Sequence, residues 1–178
     1  PVDQRMPDIC QRLSTLPPYP LQDVPQIKHD LKAKGVDVID LGAGAADLAP
    51  PPDAVEALRT AALDPVNSRY GFQIGLADFR EEIVRFMERR FGVRLDGYRE
   101  VLPLLGSKEG IFHLPFAVLD PGDVTIVPDP GYQAYLGGTL LAGGEAHVVP
   151  LRPENRFLVP LEDIPADVAR RARILYLN

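Results

Sequence analysis

Residues 101–114 read VLPLLGSKEGIFHL. An apolar run stops at Gly106, Ser107 and Lys108 follow, and a helix-like pattern starts at once. A strand, a glycine turn and a helix make one βα unit, so this stretch sets the fold class. It also hints at chemistry. A helix start offers unpaired backbone N–H groups and the positive end of the macrodipole. A glycine lets a ligand come close, and Ser107 and Lys108 add a hydroxyl and a cation. Those are the groups that hold a phosphate. A Gly-Ser-Lys turn alone is more often a plain helix cap, so the rest of the chain has to supply the context.

Working outward, the pattern of strand, turn and helix recurs. DVPQIKHDLKAKG carries Val24, Ile27 and Leu31 at helical spacing with Gly35 as a stop. VDVIDL (36–41) alternates as a strand and runs into Gly42-Ala43-Gly44. Three prolines and Asp53 start a helix through AVEALRTAAL. A polar loop spans 67–75, and the clearest helix follows, with Leu76, Phe79, Ile83, Phe86, Met87 and Phe91 on one face and Gly92 as its end. Beyond the opening stretch come a strand at VTIV, a loop PDPGY, a helix over Gln133 to Ala142, a strand at AHVV and a last strand at RILYLN. Strands alternating with helices indicate an α/β fold with a mostly parallel sheet and flanking helices. RILYLN stops without a following crossover, so the fold is expected to be incomplete, cut in mid-sheet.

Composition narrows the function classes. The net charge of −6 and the lack of any basic stripe argue against nucleic-acid binding. A single cysteine, Cys10, allows neither a disulfide nor a thiolate metal site. His29, His113 and His147 are scattered without metal-ligand spacing, and His113 reads as a core or interface residue. No metal is expected. There is no signal peptide and no apolar run long enough for a bilayer, so the expected location is cytoplasmic, with no membrane partner. The 19 prolines sit mostly where segments meet, which makes them punctuation rather than a sign of disorder.

Several enzyme motifs fail on inspection. The turn at Gly106 is no P-loop, because no partner glycine precedes it within four residues and Glu109 follows Lys108. GAGAAD at 42–47 begins like a dinucleotide fingerprint, but Asp47 takes the third glycine position and prolines follow in place of a helix. No Gly-x-Ser-x-Gly elbow occurs. Tyr132, in PDPGYQAY, reads by itself as packing. Sequential βα units, however, bring their strand ends to one edge, which would stand Tyr132 beside the Gly-Ser-Lys turn. A flat ring next to a phosphate cradle suits a flat aromatic phosphate. Tyr70, in NSRYGFQIG, reads as a surface residue.

Taken together, the ordered segments DLGAGAADLAPP, RYGFQIGLADFREEI, LLGSKEGIFHL with LDPGDVTIVPDPGYQAY, and LYLN resemble the pyridoxal-phosphate-dependent aminotransferases of fold type I, class I/II. VLPLLGSKEG and PDPGYQAYLGGTLLAGGE are most similar to the diaminopimelate and related amino-acid aminotransferases. The resemblance implies the N-terminal part of a PLP-dependent transferase large domain over residues 41–178. Residues 1–40 would contribute to a small domain and to dimer contacts. It implies pyridoxal 5'-phosphate as cofactor, amino-acid and 2-oxo-acid substrates, and a homodimer. By resemblance, Ser107 and Lys108 hold the cofactor phosphate and Tyr132 stacks on the pyridine ring. Tyr70 reaches the partner subunit's cofactor phosphate, Gly44 meets the substrate carboxylate, and Tyr19 stands on the substrate side. Ala46 departs from the family, which usually has proline there.

The resemblance also implies that no residue of this chain is catalytic. The lysine that bonds the cofactor, the aspartate for the pyridine nitrogen and two arginines belong to segments past LYLN. The expected function is therefore amino-group transfer by the whole enzyme, with these residues inactive alone. The alternatives are a non-catalytic module that binds a phosphorylated ligand or a partner, and a fragment of a dinucleotide-dependent enzyme.

Overall fold

The computed structural model describes residues 8–19, 21–42, 44, 46, 48–70 and 74–178. The chain divides into two units, one joining the segment up to Pro18 with Leu104–Asn178, the other formed by Tyr19–Pro103.

The first unit opens with a short helix α1 (Gln11–Ser14). Its sheet and helices come from the later segment, which contains α5 (Ser107–Val118), β1 (Val124–Asp129), α6 (Gln133–Ala142), β2 (Glu145–Pro150), α7 (Ala166–Arg171) and β3 (Ala172–Leu175). The second unit contains α2 (Val24–Ala33), α3 (Pro52–Ala62) and α4 (Ala77–Phe91).

In the first unit the three strands form a parallel sheet in the order β2-β1-β3. β1 is central because its run of β-branched residues is buried on both faces. The pleat divides them: Val127 joins Leu119, Tyr135, Ile174 and Tyr176 on one side, while Val124 and Ile126 join Val149 and Val168 in a second cluster. Pairing continues past β3, where the Tyr176 N–H donates to the Ile126 carbonyl at 3.0 Å.

Gly138 sets how closely α6 approaches α5. A Cβ on Gly138 would stand 2.7 Å from the Phe112 carbonyl oxygen, so a side chain here would push two backbones apart. The neighbouring Thr139 is fully buried and turns its hydroxyl back to the Tyr135 carbonyl at 2.8 Å, which keeps a polar group satisfied inside the contact. Gly143 ends α6 with φ 86°.

In the second unit, α4 is held by an unusual residue. Arg80 is buried, donates from Nη1 to the Gly97 carbonyl at 2.9 Å, and lies over the Tyr98 ring at 5.7 Å. Gly92 ends the helix in the left-handed region, as its sequence position suggested. The apolar face, by contrast, is only partly covered: Ile83 and Met87 are half-buried, while Leu76, Phe79, Phe86 and Phe91 remain exposed.

Two expected strands are absent. Residues 36–41 and 101–105 have no strand pairing. Alternation is a property of one segment, whereas a strand needs a neighbour to accept its hydrogen bonds. Ile39 and Leu41 stay exposed, and the end of that segment is fixed by Asp40 instead. Its carboxylate takes the Lys28 ammonium at 2.8 Å and the Gly42 N–H at 3.0 Å, which together hold the carboxyl below its ordinary value. The loop expected over 67–75 begins as a 3-10 turn, Pro65–Ser68, and positions 71–73 within it lie outside the described residues.

Candidate active site

The strand β1 and the turn before α5 deliver their residues to a single cavity. β1 ends at Asp129, and the chain turns through Pro130 and Gly131 to Tyr132, the residue before α6. α5 begins at Ser107, preceded by Gly106 with φ 82° and ψ 157°. That φ is open to glycine and costly for other residues. Nothing lies within 4 Å of where a Gly106 side chain would be, so the approach to the helix start is clear.

The cavity, about 500 Å³, is lined by Ser107, Ile111, Pro130, Gly131, Tyr132, Tyr135 and Asn178. Lys108 adds the cation: its Nζ stands 5.6 Å from the centre of the Tyr132 ring. Three residues singled out from sequence, Ser107, Lys108 and Tyr132, are thus brought together. The turn is braced from behind by Glu109, whose Oε2 accepts the Leu105 N–H at 2.7 Å. That bond ties the backbone entering the turn to the first turn of α5.

An aromatic group not read from the sequence supports Tyr132. The buried Tyr135 meets the Tyr132 ring edge-on, with centroids 5.8 Å apart. On its other side it stacks on Tyr176 at 4.2 Å and 14°. The Tyr135 hydroxyl donates to Asn178 Oδ1 at 3.0 Å, and the Tyr176 hydroxyl donates to the Ile111 carbonyl at 2.9 Å. Burial, followed by the nearby Tyr135, raises the Tyr176 phenol above its ordinary value, so it stays a donor. The available signal was the spacing in YQAY, which puts two tyrosines on neighbouring turns, and the tyrosine in LYLN.

The other three expected site residues belong to the second unit. Tyr70 lines an apolar cavity of about 670 Å³ with Leu58, Ala61, Val66, Arg69 and Leu76. Gly44 is exposed with open space where a side chain would be, though Ala43 and Ala45 on either side lie outside the described residues. Ala46, where the family usually has proline, is exposed as well. Tyr19 is about half exposed, and Pro20 after it lies outside the described residues. His113 is exposed beside Phe112 and Phe116, so it is not a core residue. Among the described residues no cluster suits a metal ion, and no helix is long and apolar enough to cross a membrane.

A parallel β2-β1-β3 sheet with the start of α5 and an aromatic beyond the end of β1 defines an α/β domain with a candidate ligand site, and the comparisons specify the class. The profile of the aminotransferase class I and II family matches residues 36–178, and the chain belongs to that family. It is 49% identical over 169 residues to an LL-diaminopimelate aminotransferase of Syntrophobacter fumaroxidans, covering 95% of this chain and 44% of the relative. A protein of the same name from Desulforudis audaxviator is 48% identical, with 95% and 43% covered. Among solved structures, apo-BacF from Bacillus subtilis aligns with a TM-score of 0.89 at 35% identity, covering 97% of this chain and 44% of that one. An aspartate aminotransferase from Thermotoga maritima gives 0.78 at 31% identity, covering 87% and 41%. The chain therefore spans under half the length of the relatives it matches. The fold is that of the large domain of fold type I, pyridoxal-phosphate-dependent aminotransferases, as expected from the sequence.

Proposed function

We propose that the whole protein is a pyridoxal-phosphate-dependent amino-acid aminotransferase, moving an amino group from an amino acid to a 2-oxo acid. The observation that carries this reading is the cavity at the start of α5, where a helix N-terminus, Ser107, Lys108 and the Tyr132 ring converge. A phosphorylated pyridine needs one anion site and one flat apolar face, and these residues offer both. The names of the relatives support a diaminopimelate-type amino donor.

When bound, pyridoxal phosphate supplies an aldehyde that takes up an amino group and a ring that draws electrons from the substrate carbon. This chain's residues hold and orient it. The N–H groups opening α5 and the Ser107 hydroxyl donate to the phosphate, and the Lys108 ammonium balances its charge. Tyr132 covers one face of the ring and keeps water from it. Tyr70 reaches the phosphate bound by a second copy in a homodimer, Gly44 offers its N–H to the substrate carboxylate, and Tyr19 borders the substrate. Residues 41–178 form the N-terminal part of the large domain, and residues 1–40 serve the small domain and dimer contacts. The protein acts in the cytoplasm.

The test is a titration of the whole protein with pyridoxal phosphate, read by absorbance, followed by an amino-transfer assay. Lys108→Ala removes a charged hydrogen-bond partner and should weaken binding by roughly tenfold to a hundredfold. Equal affinity in Lys108→Ala, Ser107→Ala and the parent protein would refute the assignment.

A further inference from the structure

We infer that a second cavity, on the sheet face away from Tyr135 and Tyr176, binds a small zwitterion with an apolar body, the chemistry of an apolar α-amino acid. The cavity, about 440 Å³, has His147, Val149, Arg152, Asn155, Asp163 and Ile164 in its lining and shares no residue with the cavity at the start of α5. Side chains alternate along β2: Ala146 packs with Tyr135 and Tyr176, while Val149 belongs with Val124, Ile126 and Val168. His147, two positions before Val149, falls on that second face. Val149 is buried and Ile164 packs against the same cluster, so the floor is apolar. His147 is half-buried, and Arg152 and Asp163 are exposed at the mouth.

Arg152 is placed by a braced turn. Its N–H donates to Asn155 Oδ1 at 3.3 Å, its carbonyl accepts the Phe157 N–H at 2.9 Å, and Asn155 Nδ2 donates to the Leu158 carbonyl at 2.8 Å. The turn carries Arg156 and Phe157 in the left-handed region, at φ 61° and 58°. Residues other than glycine keep that conformation only where their surroundings fix it. Asn155 is committed to the turn, which leaves Arg152 and His147 as donors and Asp163 as acceptor. These groups are opposed and open: Arg152 and Asp163 line one cavity without closing an ion pair, and neither the Asp163 carboxylate nor the His147 ring has a partner among the described residues. A cation and an anion held apart across an apolar floor complement a molecule with the reverse arrangement. Its carboxylate meets Arg152 and His147, its ammonium meets Asp163, and its apolar body covers Val149 and Ile164. A plain carboxylate would leave Asp163 unanswered, and a plain amine would leave Arg152 so.

The experiment titrates the whole protein calorimetrically with three probes. α-Methylphenylalanine is a zwitterion without the α-hydrogen that amino transfer removes, 3-phenylpropanoate lacks the ammonium, and phenethylamine lacks the carboxylate. The zwitterion should bind about tenfold tighter than either of the others. Asp163→Asn should bring the zwitterion down to the affinity of 3-phenylpropanoate, whose own binding should not weaken. Arg152→Gln should bring it down to that of phenethylamine, again without weakening the latter. Each variant is expected to retain one probe, and that retention is itself the sign of a folded site. No saturable binding of the zwitterion, an affinity equal in the parent and both variants, or loss of all three probes alike overturns the inference. None of these outcomes bears on the cavity at the start of α5, which is tested by pyridoxal phosphate and shares no lining residue with this one.

Discussion

Substituting the adjacent glycines of α6 one at a time should give opposite results. Gly137 and Gly138 both lie inside the helix, where alanine is intrinsically better by about 1 kcal/mol. At Gly137 the new methyl would meet only the Phe112 ring, at 3.7 Å, an ordinary contact. Gly137→Ala should therefore stabilise, by up to about 1 kcal/mol. At Gly138 the methyl would stand 2.7 Å from the Phe112 carbonyl oxygen and 3.2 Å from its Cα, and backbone cannot rotate out of the way. Overpacking of this kind costs about 1–3 kcal/mol, which outweighs or cancels the helix gain. The two variants should differ by about 1–3 kcal/mol in the same direction whatever the background stability. Thermal and urea unfolding of the whole protein measure the difference. Because Phe112 lies on α5, whose first turn is the proposed phosphate cradle, Gly138→Ala should also weaken pyridoxal phosphate binding, while Gly137→Ala should not. A Gly138→Ala protein as stable as Gly137→Ala, with unaltered binding, would refute the close-packing argument.

Glu109→Ala leaves the Leu105 N–H without its acceptor and should weaken phosphate binding severalfold by isothermal titration, whereas Glu109→Gln keeps an acceptor and should bind at least as well as the parent. Tyr176→Phe removes the bond to the Ile111 carbonyl and should lower stability by about 1 kcal/mol, with the loss of one late-titrating phenol in an alkaline absorbance titration. The Asp123 carboxyl is held below its ordinary value chiefly by the Asp120 N–H and further by Arg173, against an opposing cost of desolvation. A depressed carboxyl gives stability that is complete above the ordinary value of 3.8 and is lost as pH falls through the folded one, so Asp123→Asn should flatten the acid limb of the stability profile. These 178 residues contain four lysines, of which Lys28 is paired with Asp40 and Lys108 stands beside the Tyr132 ring. Borohydride reduction of this chain alone with pyridoxal phosphate should load none of them stoichiometrically, and peptide mapping would detect the contrary.

The elements legible in the sequence are those whose cause is local. The helix Gln133–Ala142 could be bounded because Pro130 and Gly131 precede it and Gly143 follows, and β1 because its β-branched run has no helical period. Ser107, Lys108 and Tyr132 were legible for the same reason, since each sits at a turn that the sequence marks. Residues 36–41 and 101–105 were misread because their alternation says nothing about a pairing partner. Tyr135 and Asn178 were missed because their bond joins positions 43 residues apart, and nothing in YQAY or LYLN alone forecasts it. Arg80 was hidden by its own charge: a cation on a helix reads as solvated until a carbonyl and a ring are found to receive it.

The order β2-β1-β3 has a consequence for how the site comes into being. β1 and β2 are neighbours in sequence, linked through α6, and can pair as soon as both have left the ribosome. β3 must join the other flank of β1 after a longer excursion, and closing that larger loop carries a greater entropic cost. The start of α5 and Tyr132 are thus in place before Tyr176, which stacks on Tyr135, arrives. The cavity beside α5 is therefore completed late, with the docking of one short strand that brings Tyr176 against Tyr135.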